Sequence, residues 1–66
     1  MIMMNLDQRK FRALGYVKRI KCPLKREYAL EYYGFAFYGE PYPERPSGLS
    51  YMAAQAVRLA IDGSVI

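Results

Sequence analysis

The sequence contains no histidine, no tryptophan and only one cysteine. Without histidine the Cys-His and Ser-His catalytic pairs are excluded, and one cysteine supplies neither a zinc ligand set nor an intramolecular disulfide. Glycine-rich phosphate loops of the G-x-G-x-x-G or G-x-x-x-x-G-K-[ST] type are missing as well. The chain is therefore read as non-enzymatic, with no cofactor and no metal site. Long apolar runs are also lacking. The N-terminal Met1-Ile2-Met3-Met4 is interrupted by Asn5, Asp7, Arg9 and Lys10, short of a signal peptide. Nothing approaches the roughly 18 to 20 apolar residues of a membrane-spanning helix. One unpaired thiol suits a reducing compartment, because small secreted domains normally carry several disulfides, and a cytoplasmic location is expected.

What is present is a folding composition. Of 66 residues, 53% are hydrophobic and 24% charged, far from the low-hydrophobicity, high-charge range in which chains stay disordered. A chain this short buries only about 60% of the surface its unfolded form exposes, so residues 1–66 make one small domain. Acidic residues are absent from one long stretch. Arg9, Lys10, Arg12, Lys18, Arg19, Lys21, Lys25 and Arg26 all fall in a window with no acid, whereas all six acids lie outside it with only Arg45 and Arg58. The net +4 is thus a split of +8 against −4. Such a field attracts phosphate backbones, acidic headgroups or an acidic protein face; the plainer alternative is a solvated helix surface.

Periodicity predicts three helices. Asn5 can cap the first, with Gln8 three residues on completing a capping box and Asp7 in the first turn. Leu6, Ala13, Tyr16, Val17 and Ile20 form one stripe at 3.6 spacing, widened by Phe11 and Leu14. Arg9, Arg12 and Arg19 point elsewhere, and Lys10, Lys18 and Lys21 flank the stripe. Gly15 weakens this helix, a cost that close approach of another helix would explain. Pro23 ends the first helix near Lys21 and opens a second at its first position. The second carries apolar or aromatic groups on opposite sides (Leu24, Tyr28, Tyr32 and Phe35; Leu30, Tyr33 and Phe37) and stops at Gly34 or Gly39. A short strand over residues 35–39 is the alternative. Pro41, Pro43 and Pro46 then make a stiff, extended loop, onto whose core side Tyr42 can fold.

The third helix has its apolar repeat at Leu49, Met52, Ala53, Ala56, Val57, Ala60 and Ile61, capped by Ser50 or Ser47 and stopped by a left-handed Gly63. Its alanines should form a groove for the rings of the second helix. Tyr51, Ala54, Gln55, Arg58 and Asp62 fall on the polar side. On this reading Ala56→Leu overpacks a filled contact and Arg58→Ala is close to neutral. The expected fold is a small all-α three-helix domain with a proline-rich loop between helices 2 and 3. An aromatic second helix with two apolar sides needs more cover than two helices supply, so a homo-oligomer or a bound partner is expected.

Candidate chemistry is sparse. Cys22 sits at a helix start between Lys21 and Lys25, which favours a thiolate, but no general base accompanies it, and an ordinary turn cysteine is the better reading. Glu27 and Glu31 lie one helical turn apart on a face that needs solubilising charge. The acid-free basic segment, in a chain with ten aromatics, fits nucleic-acid binding: cations neutralise phosphates and exposed rings stack on unpaired bases. The eight basic residues from Arg9 to Arg26 are the expected phosphate contacts. A helix-turn-helix is excluded by the ten-residue, three-proline connection before the third helix. The competing expectation is a protein-protein module, an inhibitor, adaptor or assembly component that docks on an acidic and apolar partner surface. A peripheral membrane role fits less well, because the basic residues surround the apolar stripe.

Overall fold

The computed structural model describes residues 5–63 and contains α1 (Leu6–Arg19), α2 (Pro23–Tyr38) and α3 (Tyr51–Gly63). No strand occurs among the described residues, and the protein is a small all-α domain. The apolar segment Met1 to Met4 lies outside them. No helix among the described residues is long and apolar enough to cross a membrane.

Local chemistry sets the helix ends. The Asn5 side chain accepts from the Gln8 N–H at 2.8 Å and the Gln8 side chain accepts from the Asn5 N–H at 3.0 Å, a reciprocal capping box. The chain leaves α1 at Ile20 in an extended conformation, and Pro23 occupies the first turn of α2. The Arg26 guanidinium closes this turn by donating to the Ile20 carbonyl at 3.2 Å. α2 continues past Gly34 through Tyr38, which removes the short-strand alternative, and stops where Gly39 turns left-handed with φ 70°. The N–H groups of Gly39 and Glu40 both reach the Gly34 carbonyl, so the last turn is satisfied. Ser50 caps α3 by accepting from the Ala53 N–H at 3.1 Å. Gly63 is itself helical and lacks a positive φ, so it is not the left-handed stop expected of it.

Two side-chain pairs reveal the topology. Tyr28 pairs with Arg58 and Tyr32 with Asp62, so one turn forward along α2 matches one turn forward along α3 and the two helices run in the same direction. Residues 39–50 must therefore return along the length of α2. Sixteen helical residues span about 24 Å, and roughly eight residues of extended chain at about 3.1 Å each cover that distance. The contacts follow this path. Tyr42 lies edge-on to Tyr32 and Phe35, and a Cβ on Gly48 would lie 2.8 Å from a Leu24 methyl at the opposite end of α2. Pro43 is buried. Prolines suit a segment that must stay extended while it crosses a helix, because they fix φ and remove donors that would otherwise need partners. α1 packs antiparallel to α2, with Lys10 near its start lying over the ring of Tyr38 at the end of α2.

The core centres on Tyr28, Val57 and Ile61, all essentially inaccessible, and on three alanines with no exposure, Ala13, Ala29 and Ala54. Small side chains at these positions let three helices approach around one tyrosine. Several expectations are corrected here. Leu6 and Phe11 do not belong to the buried stripe of α1; they are 55% and 80% exposed. Gly15 faces no other helix: a Cβ there would meet only the Arg19 guanidinium, at 3.8 Å. On α3 the buried face is turned by roughly a quarter turn at 100° per residue. Ala54 is buried, while Ala56 is exposed and Met52 is 73% exposed.

That rotation has a polar cause. Arg58 Nη1 donates to the Tyr28 hydroxyl at 2.7 Å, and the Tyr32 hydroxyl donates to Asp62 Oδ1 and Oδ2 at 2.9 and 3.2 Å. Buried hydroxyls need partners, and the i, i+4 spacing of the tyrosines matches that of Arg58 and Asp62. Arg58, assigned to the solvent side by periodicity, belongs to the helix interface. Part of α2 is covered within the chain, where Tyr28, Ala29, Tyr32 and Tyr33 are buried in the core, while Leu30, Phe35 and Tyr38 stay exposed. Uncovered apolar surface is spread over all three helices, with Phe11 on α1, Leu30 and Tyr38 on α2, and Met52 and Leu59 on α3 each more than half exposed.

The tyrosines make the fold sensitive to alkali. Burial, reinforced by the hydrogen bond to Asp62, pushes the Tyr32 hydroxyl up to about 12. Burial and a hydrogen bond with Tyr38 push Tyr33 to about 12 as well. A group whose folded pKa lies above its unfolded value of about 10 contributes stability that is complete below pH 10 and lost as pH rises toward 12. The melting temperature is expected to hold up to about pH 10 and then fall. Circular dichroism melts from pH 8 to 12, read beside phenolate absorbance, check this; an unchanged melting temperature at pH 12 would contradict it.

Candidate nucleic-acid interface

The structure divides the eight basic residues into two groups. Arg9 is half-buried, and its Nε is shielded from solvent without an acceptor among the described residues. Lys10 is also half-buried, with its ammonium 4.3 Å from the centre of the Tyr38 ring, a cation–π contact between α1 and α2. Lys25 is half-buried, and Arg26 closes the α1–α2 turn. Of these four only Lys10 makes a contact between helices, and Arg26, though it bonds within the turn, is itself exposed. Arg12, Lys18, Arg19 and Lys21 are exposed.

Arg12, Lys18 and Arg19 share the outer face of α1, and Gly15 is at its centre. On a helical surface the neighbours of a residue lie three and four positions away in both directions. For Gly15 these are Phe11, Arg12, Lys18 and Arg19. Three of the four are cationic, and the fourth is the most exposed large apolar side chain of the described residues. The Arg19 guanidinium reaches back along the helix to within 3.8 Å of where a Gly15 Cβ would stand. One acid, Asp7, lies at the edge of the patch, one turn before Phe11. Lys21 extends the patch into the turn.

Periodicity missed Phe11 as a surface residue because it was grouped with the apolar stripe. Its angular position was the available signal: at 100° per residue it lies about 120° from Val17, beyond the flank of a stripe centred on Ala13 and Val17. Cys22 is exposed at the N-cap of α2 and makes no side-chain capping bond. Glu27 and Glu31 are exposed, and no cluster of three metal-binding side chains occurs among the described residues. Comparisons with protein-family models, with curated proteins and with solved structures find no match for this chain.

Proposed function

We propose that this chain is a small, non-enzymatic nucleic-acid-binding or nucleic-acid-associated regulatory protein that uses the outer face of α1. The observation that supports it most is the exposed patch of Arg12, Lys18 and Arg19 around Gly15, on a helix whose only acid lies at the patch edge. Phosphate contacts release counterions, so binding through Arg12, Lys18, Arg19 and Lys21 carries a salt signature. Four contacts give a slope of about −2.8 to −3.6 in log K against log salt, or roughly 50- to 150-fold weaker binding at 200 mM than at 50 mM. Titration of labelled duplex DNA, single-stranded DNA and RNA at these two salt concentrations tests this. Absence of binding to all three at 50 mM would overturn it.

A second reading, a protein-protein module, is favoured by a different observation. Met52, Ala56 and Leu59 follow one another at +4 and +3 on the outer side of α3, with Met52 73% and Leu59 62% exposed. An apolar strip of this kind on a small domain fits contact with another protein surface, including a second copy of the chain. It lies on a different helix from the cationic patch, so the two readings predict separate sets of sensitive residues.

A further inference from the structure

Phe11 and Gly15 each lack an explanation inside the fold. Phe11 is 80% exposed at a position where a polar residue would cost nothing, and it joins no aromatic cluster of the core. Gly15 is in the middle of a 14-residue helix, has ordinary helical geometry, and a Cβ there would meet only the end of the flexible Arg19 side chain, at an ordinary contact distance of 3.8 Å. A glycine there weakens a helix relative to alanine without any internal gain. Both residues make sense together if something approaches the helix closely at Gly15 and lies flat on the ring of Phe11. The surrounding cations require that it be anionic. Arg12 and Arg19 bracket the glycine about 10.5 Å apart along the helix axis, with Lys18 beside Phe11's far end of the patch.

Building on the proposed nucleic-acid role, we infer that the ligand is an unpaired strand, with one base stacked on Phe11 and its neighbouring phosphates held by Arg12, Lys18 and Arg19 across Gly15. A duplex keeps its base faces inside the stack and offers Phe11 nothing to lie on. An unpaired base exposes a π-face, and stacking on an aromatic side chain tolerates any sequence. Arginine beside a stacking ring adds a planar cation that serves phosphate and base alike. With no side chain at Gly15, and with the Arg19 guanidinium at the end of a flexible stem beside it, the sugar-phosphate chain can approach the helix backbone, where a larger residue would hold it away.

The absence of tryptophan from the chain makes the test direct. Phe11→Trp retains a stacking surface and supplies a single indole reporter. Its emission is expected to be quenched by unfolded oligonucleotides of DNA or RNA, and the matching duplex should quench it far less. Phe11→Ala should weaken single-strand binding by roughly 5- to 150-fold while leaving duplex binding unchanged. Gly15→Leu should raise thermal stability and weaken single-strand binding, a combination that a merely structural glycine would not give. Preferential binding by one of DNA or RNA identifies the natural strand, and either supports the inference. Equal affinity for strand and duplex with no effect of Phe11→Ala would overturn it while leaving the nucleic-acid role standing. Competition by polyglutamate equal to that by the strand would also overturn it, since charge alone would then suffice. If no nucleic acid binds at low salt, both fail together.

Discussion

Arg58→Met is expected to lower the melting temperature by roughly 5 to 20 °C, because it strips a buried hydroxyl of its donor and keeps it covered. Tyr28 is 1% exposed, and its hydroxyl accepts a hydrogen bond from Arg58 at 2.7 Å. Methionine retains much of the arginine stem over the ring and removes the guanidinium, so water cannot readily replace what is lost. The pairing can be isolated. In a Tyr28→Phe background the hydroxyl is already gone, and the same Arg58→Met change should cost much less, as a double-mutant cycle would show. Ala56→Leu, on the exposed side of α3, should change stability by no more than about 0.5 kcal/mol. Thermal melts of the five proteins decide the matter. A neutral Arg58→Met with a disruptive Ala56→Leu would restore the orientation of α3 that periodicity alone suggests.

Ile61→Ala should bring the protein close to unfolding. Ile61 has no exposure and is among the largest fully buried side chains. Truncating such a residue to alanine costs about 2–5 kcal/mol through lost burial and the cavity left behind. A domain of this length has a total stability of roughly 3–10 kcal/mol, so one substitution removes much of it. Leu59, two residues earlier and 62% exposed, provides the control: Leu59→Ala should stay within about 0.5 kcal/mol. Urea unfolding followed by far-ultraviolet circular dichroism measures both. Equal losses at the two positions would mean that the strip containing Met52 and Leu59 is buried in solution, as contact with a second copy would make it.

Some features of the molecule follow from short stretches of chain taken alone. The capping box at Asn5 and Gln8, the restart at Pro23, the Ser50 cap and the folding back of Tyr42 depend on neighbours a few residues away or on the fixed φ of proline. The end of α2 was ambiguous between Gly34 and Gly39 for a related reason. Glycine tolerates a helix interior at modest cost and also a left-handed stop, and only the capping bonds to the Gly34 carbonyl distinguish the two.

The candidate site was half legible. The acid-free run from Arg9 to Arg26 is a property of the sequence, and most of it falls on α1. Which of those cations face solvent is not, because Lys10 found a partner across a helix boundary, at Tyr38, and Arg9 and Lys25 are half-buried. Phe11's only mark in the sequence is its angular position, about 120° from Val17 on the helix. An aromatic residue reads as core by composition, and its exposure depends on where α2 and α3 lie around α1.

By itself the sequence determined the number of helices, most of their ends and the concentration of positive charge at one part of the chain. These rest on backbone preferences and on charge, both of which act locally. The tertiary structure alone decided the rotation of α3, the parallel course of α2 and α3, and the division of basic residues between packing and surface. The apolar arc of α3, from Leu59 through Met52, Ala56 and Ala53 to Ala54, is wider than the face it buries, so more than one rotation covers apolar side chains. What separates the rotations is the cost of leaving the hydroxyls of Tyr28 and Tyr32 without partners, and those partners, Arg58 and Asp62, lie 30 residues away.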